Sequence, residues 1–171
     1  MGHCFKSKLG QRIFSSNGNT PMGFAMCGAI GAWFAEPSRP VYCIIGDGGM
    51  QLNIQELQTI KHYGVNVKII ILNNGILGNT NKAEVACGPD GYSSPCFPAI
   101  AKAYGIETMS LYEWSRWPYV RDMMLQSDHA MLIDVVHPDF CDYAPRMVSW
   151  DKPIHDMQPY LSREEFNGNM L

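Results

Sequence analysis

Two short apolar runs, each followed at once by turn-forming residues, constrain the fold of this chain more than any other feature. The first run covers residues 41–45 (VYCII), and the second covers residues 65–72 (VNVKIIIL). Runs of this length are typical of strands that are buried on both faces, as in a parallel sheet. The sequence GDGG follows the first run and NNG follows the second. Each run therefore predicts a buried strand that ends in a polar turn.

The rest of the chain alternates helical patterns with apolar runs. This alternation predicts an α/β fold, doubly wound around a mostly parallel sheet. In such sheets ligands bind at the carboxyl ends of the strands, where both polar turns fall. We expect helices over residues 22–35, 53–60, 98–104 and 113–126, and further strands over residues 106–109 and 131–136.

The chain has 171 residues, enough for one domain with a sizeable core. We expect that domain to cover residues 1–140 and residues 141–171 to form its C-terminal tail, because periodicity there is weak until residues 163–166. Residues 1–20 and 79–98 are predicted to be loops. A long loop inside a compact domain is more often functional than idle.

Composition excludes several classes of partner. The net charge of −3 provides no basic surface for nucleic-acid phosphates, so nucleic acid is not expected as a partner. Every apolar run is too short to span a membrane. The six cysteines include no CxxC pair, and we expect Cys27 and Cys43 to be small core residues. Reduced cysteines in a cytoplasmic protein are the favoured interpretation, with zinc ligands or disulfides as the alternatives.

Asp47 and Asn74 carry the chemistry that the pattern suggests. Each follows a buried strand, and neighbouring strands would bring the side chains to about one strand spacing, roughly 5 Å, apart. A carboxylate and an amide oxygen at that distance suit Mg²⁺. Gly48 and Gly49 would allow a phosphate to approach the backbone where a helix begins. Each motif alone could be an ordinary turn, but the pair predicts a magnesium–diphosphate site, with Asp47 in an exposed turn.

The same motifs support a family resemblance. GDG at residues 46–48, a gap of 24 residues and NN at residues 73–74 resemble the motif of thiamine-diphosphate-dependent enzymes. Residues 19–32 (NTPMGFAMCGAIGA) and residues 49–57 (GMQLNIQEL) are similar to segments of acetolactate synthases. The likeness is strongest over residues 10–110. It implies that the chain is the C-terminal diphosphate-binding domain of such an enzyme.

The resemblance assigns a role to each residue that matches the family pattern. It implies that Mg²⁺ is bound by Asp47, by the side chain of Asn74 and by the backbone carbonyl of Ile76. Met22 would wedge the cofactor into its bent shape, although a core methionine is the simpler interpretation of that residue. The complete set of implied thiamine-diphosphate contacts is Thr20, Met22, Asp47, Gly48, Gly49, Asn74, Ile76 and Leu77.

The resemblance also implies that the site is incomplete. In the family, the glutamate that activates the cofactor comes from a separate pyrimidine-binding domain, so we expect no catalytic residue in this chain. We therefore expect the chain to be inactive alone, to need that domain on another segment or chain, and to form a homo-oligomer. The expected reaction is decarboxylation or carboligation of a small 2-oxoacid, as a lyase or transferase.

Some positions depart from the acetolactate synthase pattern. Asn79 and Ala83 stand where that family has a methionine and a tryptophan in the substrate pocket, and Lys82 and Glu84 lie beside them. The substrate class is therefore open. The beta subunit of a split 2-oxoacid decarboxylase, or a non-catalytic domain that keeps the fold, are the alternatives.

The histidines and tryptophans outside these motifs are predicted to be structural or surface residues. The sequence shows no acidic or metal-binding partner for the histidines, and the tryptophans are interpreted as packing or subunit contacts. The residues concerned are His62, His129, His137, His155, Trp114, Trp117 and Trp150.

Overall fold

The computed structural model describes residues 5–16, 20–77, 91–137 and 162–169. The chain divides into two compact units, residues 1–140 and 141–171. The first contains helices α1 (Phe24–Ala35), α2 (Asp47–Leu52), α3 (Glu56–Tyr63), α4 (Phe97–Ala103) and α5 (Trp117–Gln126), a 3₁₀ turn (Trp114–Arg116), and strands β1 (Val41–Gly46), β2 (Val67–Asn73), β3 (Glu107–Leu111) and β4 (Met131–Val136). Helix α6 (Arg163–Asn169) belongs to the second unit.

The four strands form one parallel sheet in the order β1-β2-β4-β3. Gly46 pairs with Leu72, and Asn73 pairs with Val136. The carboxyl ends of β1, β2 and β4 therefore meet at one edge of the sheet. Both predicted polar turns lie at this edge.

Helices cover both faces of the sheet, which confirms the predicted doubly wound α/β fold. On one face, α1, α3 and α4 pack against alternate residues such as Ile69, Ile71 and Leu132. On the other face, α5 packs against Met131 and Ile133. Both faces of β2 and β4 are covered, which explains why their sequences are continuously apolar rather than alternating.

Helix α1 begins at Phe24, two residues later than predicted. Gly23 has φ of +87°, which is outside the range of a right-handed helix, so α1 begins only after this residue. Glycine adopts this conformation without strain. A Cβ atom there would lie 2.4 Å from the side-chain nitrogen Nδ2 of Asn53, so a larger residue would also displace that side chain. The core face of α1 consists of Met26, Ala29 and Ile30. Cys27 is exposed, so its predicted place in the core is wrong, whereas Cys43 is buried as predicted.

The residues after β1 form a helix at once instead of a turn. Helix α2 starts at Asp47, directly after Gly46, which is still in an extended conformation. The helix that was predicted over residues 53–60 starts later than predicted, because Asn53 ends α2 and α3 covers Glu56–Tyr63. The change matters for the site, because Asp47 and Gly48 occupy the first turn of a helix. The predicted loop over residues 79–98 lies largely outside the described residues, and α4 begins at Phe97.

The amino-terminal edge of the sheet is held by a buried lysine. Lys68 is only 4% exposed, and its ammonium group donates to the Asn66 side chain at 2.7 Å, to the Ser127 carbonyl at 2.9 Å and to the His129 carbonyl. Burial lowers the pKa of Lys68. These bonds attach the loop before β4 to the start of β2.

His129 is exposed, as a surface residue is expected to be, and it has two acidic partners that the sequence pattern did not reveal. Its Nε2 lies 2.6 Å from Oε2 of Glu107, and its Nδ1 lies 2.9 Å from Oδ1 of Asp128. The hydrogen bonds to Asp128 and Glu107 raise the pKa of His129. Glu107 begins β3 and His129 precedes β4, so the contact with Glu107 joins two strands.

No helix in the described stretches is long and apolar enough to cross a membrane.

The raised pKa of His129 predicts a pH-dependent stability. A base with a raised folded-state pKa contributes stability that is fully present below the unfolded-state value of about 6.5 and is lost as pH rises through the folded-state value. We expect the exposed His129–Glu107 pair to contribute on the order of 0.5 kcal/mol. Urea unfolding at pH 6 and pH 8.5 should show a smaller pH difference for Glu107→Gln than for the parent. An unchanged difference would contradict this assignment.

Candidate cofactor and metal site

Asp47 and Gly75 join the turns that follow β1 and β2. The backbone N–H of Gly75 donates to Oδ2 of Asp47 at 3.0 Å. Gly75 has φ of +68°, which is accessible to glycine without strain. This turn brings the backbone directly after Asn74 against the Asp47 carboxylate. The two motifs, separated in sequence by α3 and most of β2, therefore lie together.

Asn74 forms a local turn beside this contact. Its Oδ1 accepts a hydrogen bond from the backbone N–H of Ile76 at 3.2 Å, a side-chain turn that asparagine commonly forms. Asn74, Gly75 and Ile76 are all half-buried. The amide oxygen of Asn74 thus lies in the segment that contacts the Asp47 carboxylate.

Asp47 is buried, with 2% of its surface exposed, so the prediction of an exposed turn is wrong. The reason is that α2 starts at Asp47 and turns the carboxylate under the residues that follow β2. Its hydrogen bonds come from neutral donors, and no salt bridge pairs it with another described residue. A buried carboxylate without a cationic partner is unfavourable. The oxygen atoms of the Asp47 carboxylate, the Asn74 side chain and the Ile76 carbonyl are of the type that binds a small hard cation such as Mg²⁺.

Gly48 lies at the centre of the implied cofactor contacts. A Cβ atom there would lie 2.5 Å from Cδ2 of Leu77 and 3.0 Å from Cε of Met22, so both side chains pack where a larger residue would be. A Cβ atom at Gly49 would lie 3.4 Å from the backbone nitrogen of Gly23. The structure thus brings Met22, Leu77 and the GDGG segment together.

Met22 and Thr20 precede α1 at the same site. Met22 is 49% exposed, so its interpretation as a core methionine is wrong. Thr20 has φ of +38°, and among the described residues no other non-glycine residue has positive φ. Such a conformation is strained by about 1–3 kcal/mol and is more frequent at functional sites than elsewhere.

Three residues of this site were not predicted from the sequence. Ser94 donates to Oδ2 of Asp47 at 2.5 Å, and the Tyr92 hydroxyl lies 3.3 Å from the Ser94 hydroxyl. Gln51 donates to the Tyr92 hydroxyl at 2.8 Å. Burial raises the pKa of Tyr92, so the phenol is neutral. No sequence pattern marks Ser94 or Tyr92, because they lie within the predicted loop and meet at Asp47 only through the tertiary fold.

A second buried carboxylate lies under the site. Asp134, in β4, is 5% exposed and accepts a hydrogen bond from the side chain of Asn73 at 3.0 Å. Burial raises the pKa of Asp134, the hydrogen bond from Asn73 opposes this, and the negative charge of Asp47 raises it further. The backbone carbonyl of Asn73 also accepts a hydrogen bond from the backbone N–H of His137 at 2.8 Å. Asn73 is thereby attached to β4 by side chain and backbone.

Other predicted residues lie away from the site or outside the described residues. Trp114 and Trp117 stack on each other with ring centroids 5.4 Å apart, and Trp114 is 70% exposed. Among the described residues, no group of three or more histidine, cysteine or acidic side chains could hold a metal ion, and Cys27, Cys43 and Cys96 are free thiols. The residues outside the description are Asn79, Lys82, Ala83, Glu84, Trp150 and His155.

Comparison with known families places this geometry in context. Residues 1–135 match the family described as thiamine pyrophosphate enzyme, C-terminal TPP binding domain. Thiamine pyrophosphate is another name for thiamine diphosphate. The chain belongs to this family, and the site described above lies within the matched residues.

The relatives define the group within the family. The chain is 36% identical over 132 residues to an acetolactate synthase of Arthrospira platensis, covering 73% of this chain and 23% of that protein. It is 33% identical over 131 residues to the acetolactate synthase isozyme 2 large subunit of Escherichia coli, covering 73% and 24%. The chain is therefore an acetolactate synthase-like C-terminal domain, and it spans about a quarter of the length of these relatives.

A solved structure of a thiamine-diphosphate-dependent enzyme also resembles this chain. The thiamine diphosphate-dependent 4-hydroxybenzoylformate decarboxylase of Rhodococcus jostii RHA1 superposes with a TM-score of 0.58 and 30% sequence identity. The match covers 67% of this chain and 23% of that protein. The predicted family and fold are confirmed.

Asp134 allows a test of the electrostatics beneath the site. Because its pKa is raised in the folded state, its stability contribution is fully present below the unfolded-state value of about 3.8 and is lost as pH rises through the folded-state value. Asp134→Asn removes the charge and keeps an acceptor for Asn73. We expect its melting temperature at pH 7 to equal or exceed that of the parent.

Asp134→Ala is the contrasting variant. It leaves the side chain of Asn73 without this acceptor and should lower the free energy of unfolding by about 1–3 kcal/mol. Thermal unfolding measures both variants, and a large loss of stability in Asp134→Asn would contradict the assignment.

Proposed function

We propose that this chain is the magnesium- and diphosphate-binding domain of a thiamine-diphosphate-dependent, acetolactate synthase-like enzyme that acts on a 2-oxoacid. The observation that carries this proposal is the buried Asp47 carboxylate, hydrogen-bonded to the residue after Asn74 at the carboxyl edge of the sheet. Membership of the TPP-binding family supports thiamine diphosphate as the ligand of this edge. Mg²⁺ would be held by Asp47, Asn74 and the Ile76 carbonyl.

The chain's own residues would bind and orient the cofactor. Backbone N–H groups in the first turn of α2, at Gly48 and Gly49, have no partner within the helix and suit an anionic phosphate. Met22 and Leu77 surround Gly48 and would contact the cofactor from the apolar side. The chemistry that thiamine diphosphate supplies when bound is a nucleophilic carbon and an electron sink for breaking the bond beside a 2-oxoacid carbonyl.

Exposed apolar side chains at this edge support a further domain over the site. Met22 is 49% exposed, Leu72 is 49% exposed and Leu52 is 56% exposed. Exposed apolar side chains beside a ligand site favour coverage by another domain or subunit. In the proposed enzyme this is the pyrimidine-binding domain that supplies the activating glutamate. In a homo-oligomer, the pyrimidine-binding domain that covers this site would belong either to the same chain or to another copy of it.

A second reaction, decarboxylation alone, is supported by the solved relative. That relative is named a 4-hydroxybenzoylformate decarboxylase, and a benzoylformate is itself a 2-oxoacid. The domain could therefore serve a lyase, which releases the product after decarboxylation, or a transferase, which joins it to an acceptor. The measurement that separates them is product analysis with pyruvate and with a benzoylformate, each with and without an acceptor oxoacid.

We also propose a cytoplasmic protein with reduced cysteines. Burial raises the pKa of the Cys43 thiol to about 12, with a smaller contribution from Cys27. Such a thiol is protonated and unreactive at neutral pH. The free state of the described cysteines agrees with a reducing compartment.

Asp47→Asn tests the metal site with little change in shape. The amide can still accept from Gly75, but the negative charge that attracts the cation is lost. We expect magnesium-dependent binding of thiamine diphosphate by the complete enzyme to weaken by at least about 100-fold, because even indirect partners of a metal contribute about 10–100-fold. Isothermal titration calorimetry measures the affinity. Asp122→Asn, at an exposed position on α5, is the matched control and should bind as the parent does. Equal affinity of Asp47→Asn and the parent would remove Asp47 from the site.

A second test concerns the missing glutamate. The 171-residue chain alone should release no carbon dioxide from pyruvate in the presence of thiamine diphosphate and Mg²⁺. Adding the pyrimidine-binding domain should restore release. Turnover by the chain alone would show that the activating group is present in it.

A further inference from the structure

We propose that Ser94 is a positioning residue that selects which oxygen of Asp47 meets the metal ion. The inference rests on the proposed function, and it concerns a residue that neither the sequence motifs nor the family description marks. Ser94 is half-buried, and its hydroxyl donates to Oδ2 of Asp47 at 2.5 Å.

Two donors converge on a single oxygen of the carboxylate. Oδ2 of Asp47 accepts from the Ser94 hydroxyl and from the backbone N–H of Gly75 at 3.0 Å. Both of these hydrogen bonds go to Oδ2. These two donors leave Oδ1 open to a cation and so favour coordination through one oxygen.

Coordination through one oxygen favours magnesium over calcium. Mg²⁺ requires near-ideal octahedral geometry with bonds of about 2.0–2.1 Å, whereas Ca²⁺ has longer bonds and accepts carboxylates through both oxygens. Hydrogen bonds from surrounding groups orient metal ligands and typically change metal affinity by about 10–100-fold. Ser94 would thus contribute both to affinity and to ion preference.

The position of Ser94 is itself fixed by the helix that carries Asp47. The Tyr92 hydroxyl lies 3.3 Å from the Ser94 hydroxyl, and Gln51 donates to the Tyr92 hydroxyl at 2.8 Å and to the Ser93 carbonyl at 3.1 Å. Gln51 and Asp47 are both in α2. The segment around Ser94 is therefore attached at two points to the same short helix, which keeps the hydroxyl aligned with its target.

The test uses the complete enzyme, saturated with thiamine diphosphate and titrated with MgCl₂ or with CaCl₂. Ser94→Ala should lower Mg²⁺ affinity by about 10–100-fold and lower Ca²⁺ affinity less, so that the ratio of the two affinities falls. Ser94→Thr retains the hydroxyl and should restore most of the affinity and the ratio. Ser115→Ala, at an exposed serine before α5, is the matched control and should leave both affinities unchanged. Thermal unfolding without metal follows the fold of each variant.

The outcomes separate this inference from the proposed function. If the parent enzyme binds neither Mg²⁺ nor thiamine diphosphate, the proposed function fails and the role of Ser94 fails with it. If the parent binds both and Ser94→Ala binds Mg²⁺ with parental affinity, only the role of Ser94 is overturned. Equal weakening for Mg²⁺ and Ca²⁺, together with a lower melting temperature, would show a purely structural role and would also overturn it.

Discussion

The hydrogen bond from the backbone of Gly75 to the carboxylate of Asp47 is the contact on which the site depends. It forms because β1 and β2 are adjacent and parallel, with Gly46 paired to Leu72, so that both strands end at the same level. A shift of one residue in this register would exchange the faces of β2 and separate the carboxylate from the turn. The packing on both faces of the sheet therefore determines where the Asp47 carboxylate meets the turn after β2. The core and the site cannot be varied independently.

The edge of the sheet contains two buried carboxylates with different surroundings. Asp47 receives two hydrogen bonds on one oxygen, one of them from the backbone of Gly75, the residue after Asn74. Asp134 receives a bond from Asn73, and burial raises its pKa. The first carboxylate contacts the turn after β2, and the second holds Asn73 at the end of β2. Environment rather than residue type assigns these roles.

The sequence predicted the fold class, the parallel strands and the edge at which the polar turns meet, because continuous apolar runs and glycine-rich turns are local signals. Two local predictions were wrong for tertiary reasons. Asp47 is buried because α2 starts directly after β1, and Cys27 lies on the exposed side of α1. The contact of His129 with Glu107 was not visible in the sequence, because it forms only when β3 and β4 pair. Ser94 and Tyr92 were missed because their contacts join residues more than 40 positions apart, for which one sequence contains no periodic signal.

The most direct test of the metal site is anomalous X-ray scattering from crystals of the complete enzyme grown with thiamine diphosphate and Mn²⁺ in place of Mg²⁺. We expect one manganese peak bonded to Oδ1 of Asp47, to the Asn74 side-chain oxygen and to the Ile76 carbonyl. Oδ2 of Asp47 should keep its hydrogen bonds from Gly75 and Ser94. A thiamine diphosphate molecule bound at this edge with manganese absent, or with manganese bonded to other residues, would contradict the proposed metal site.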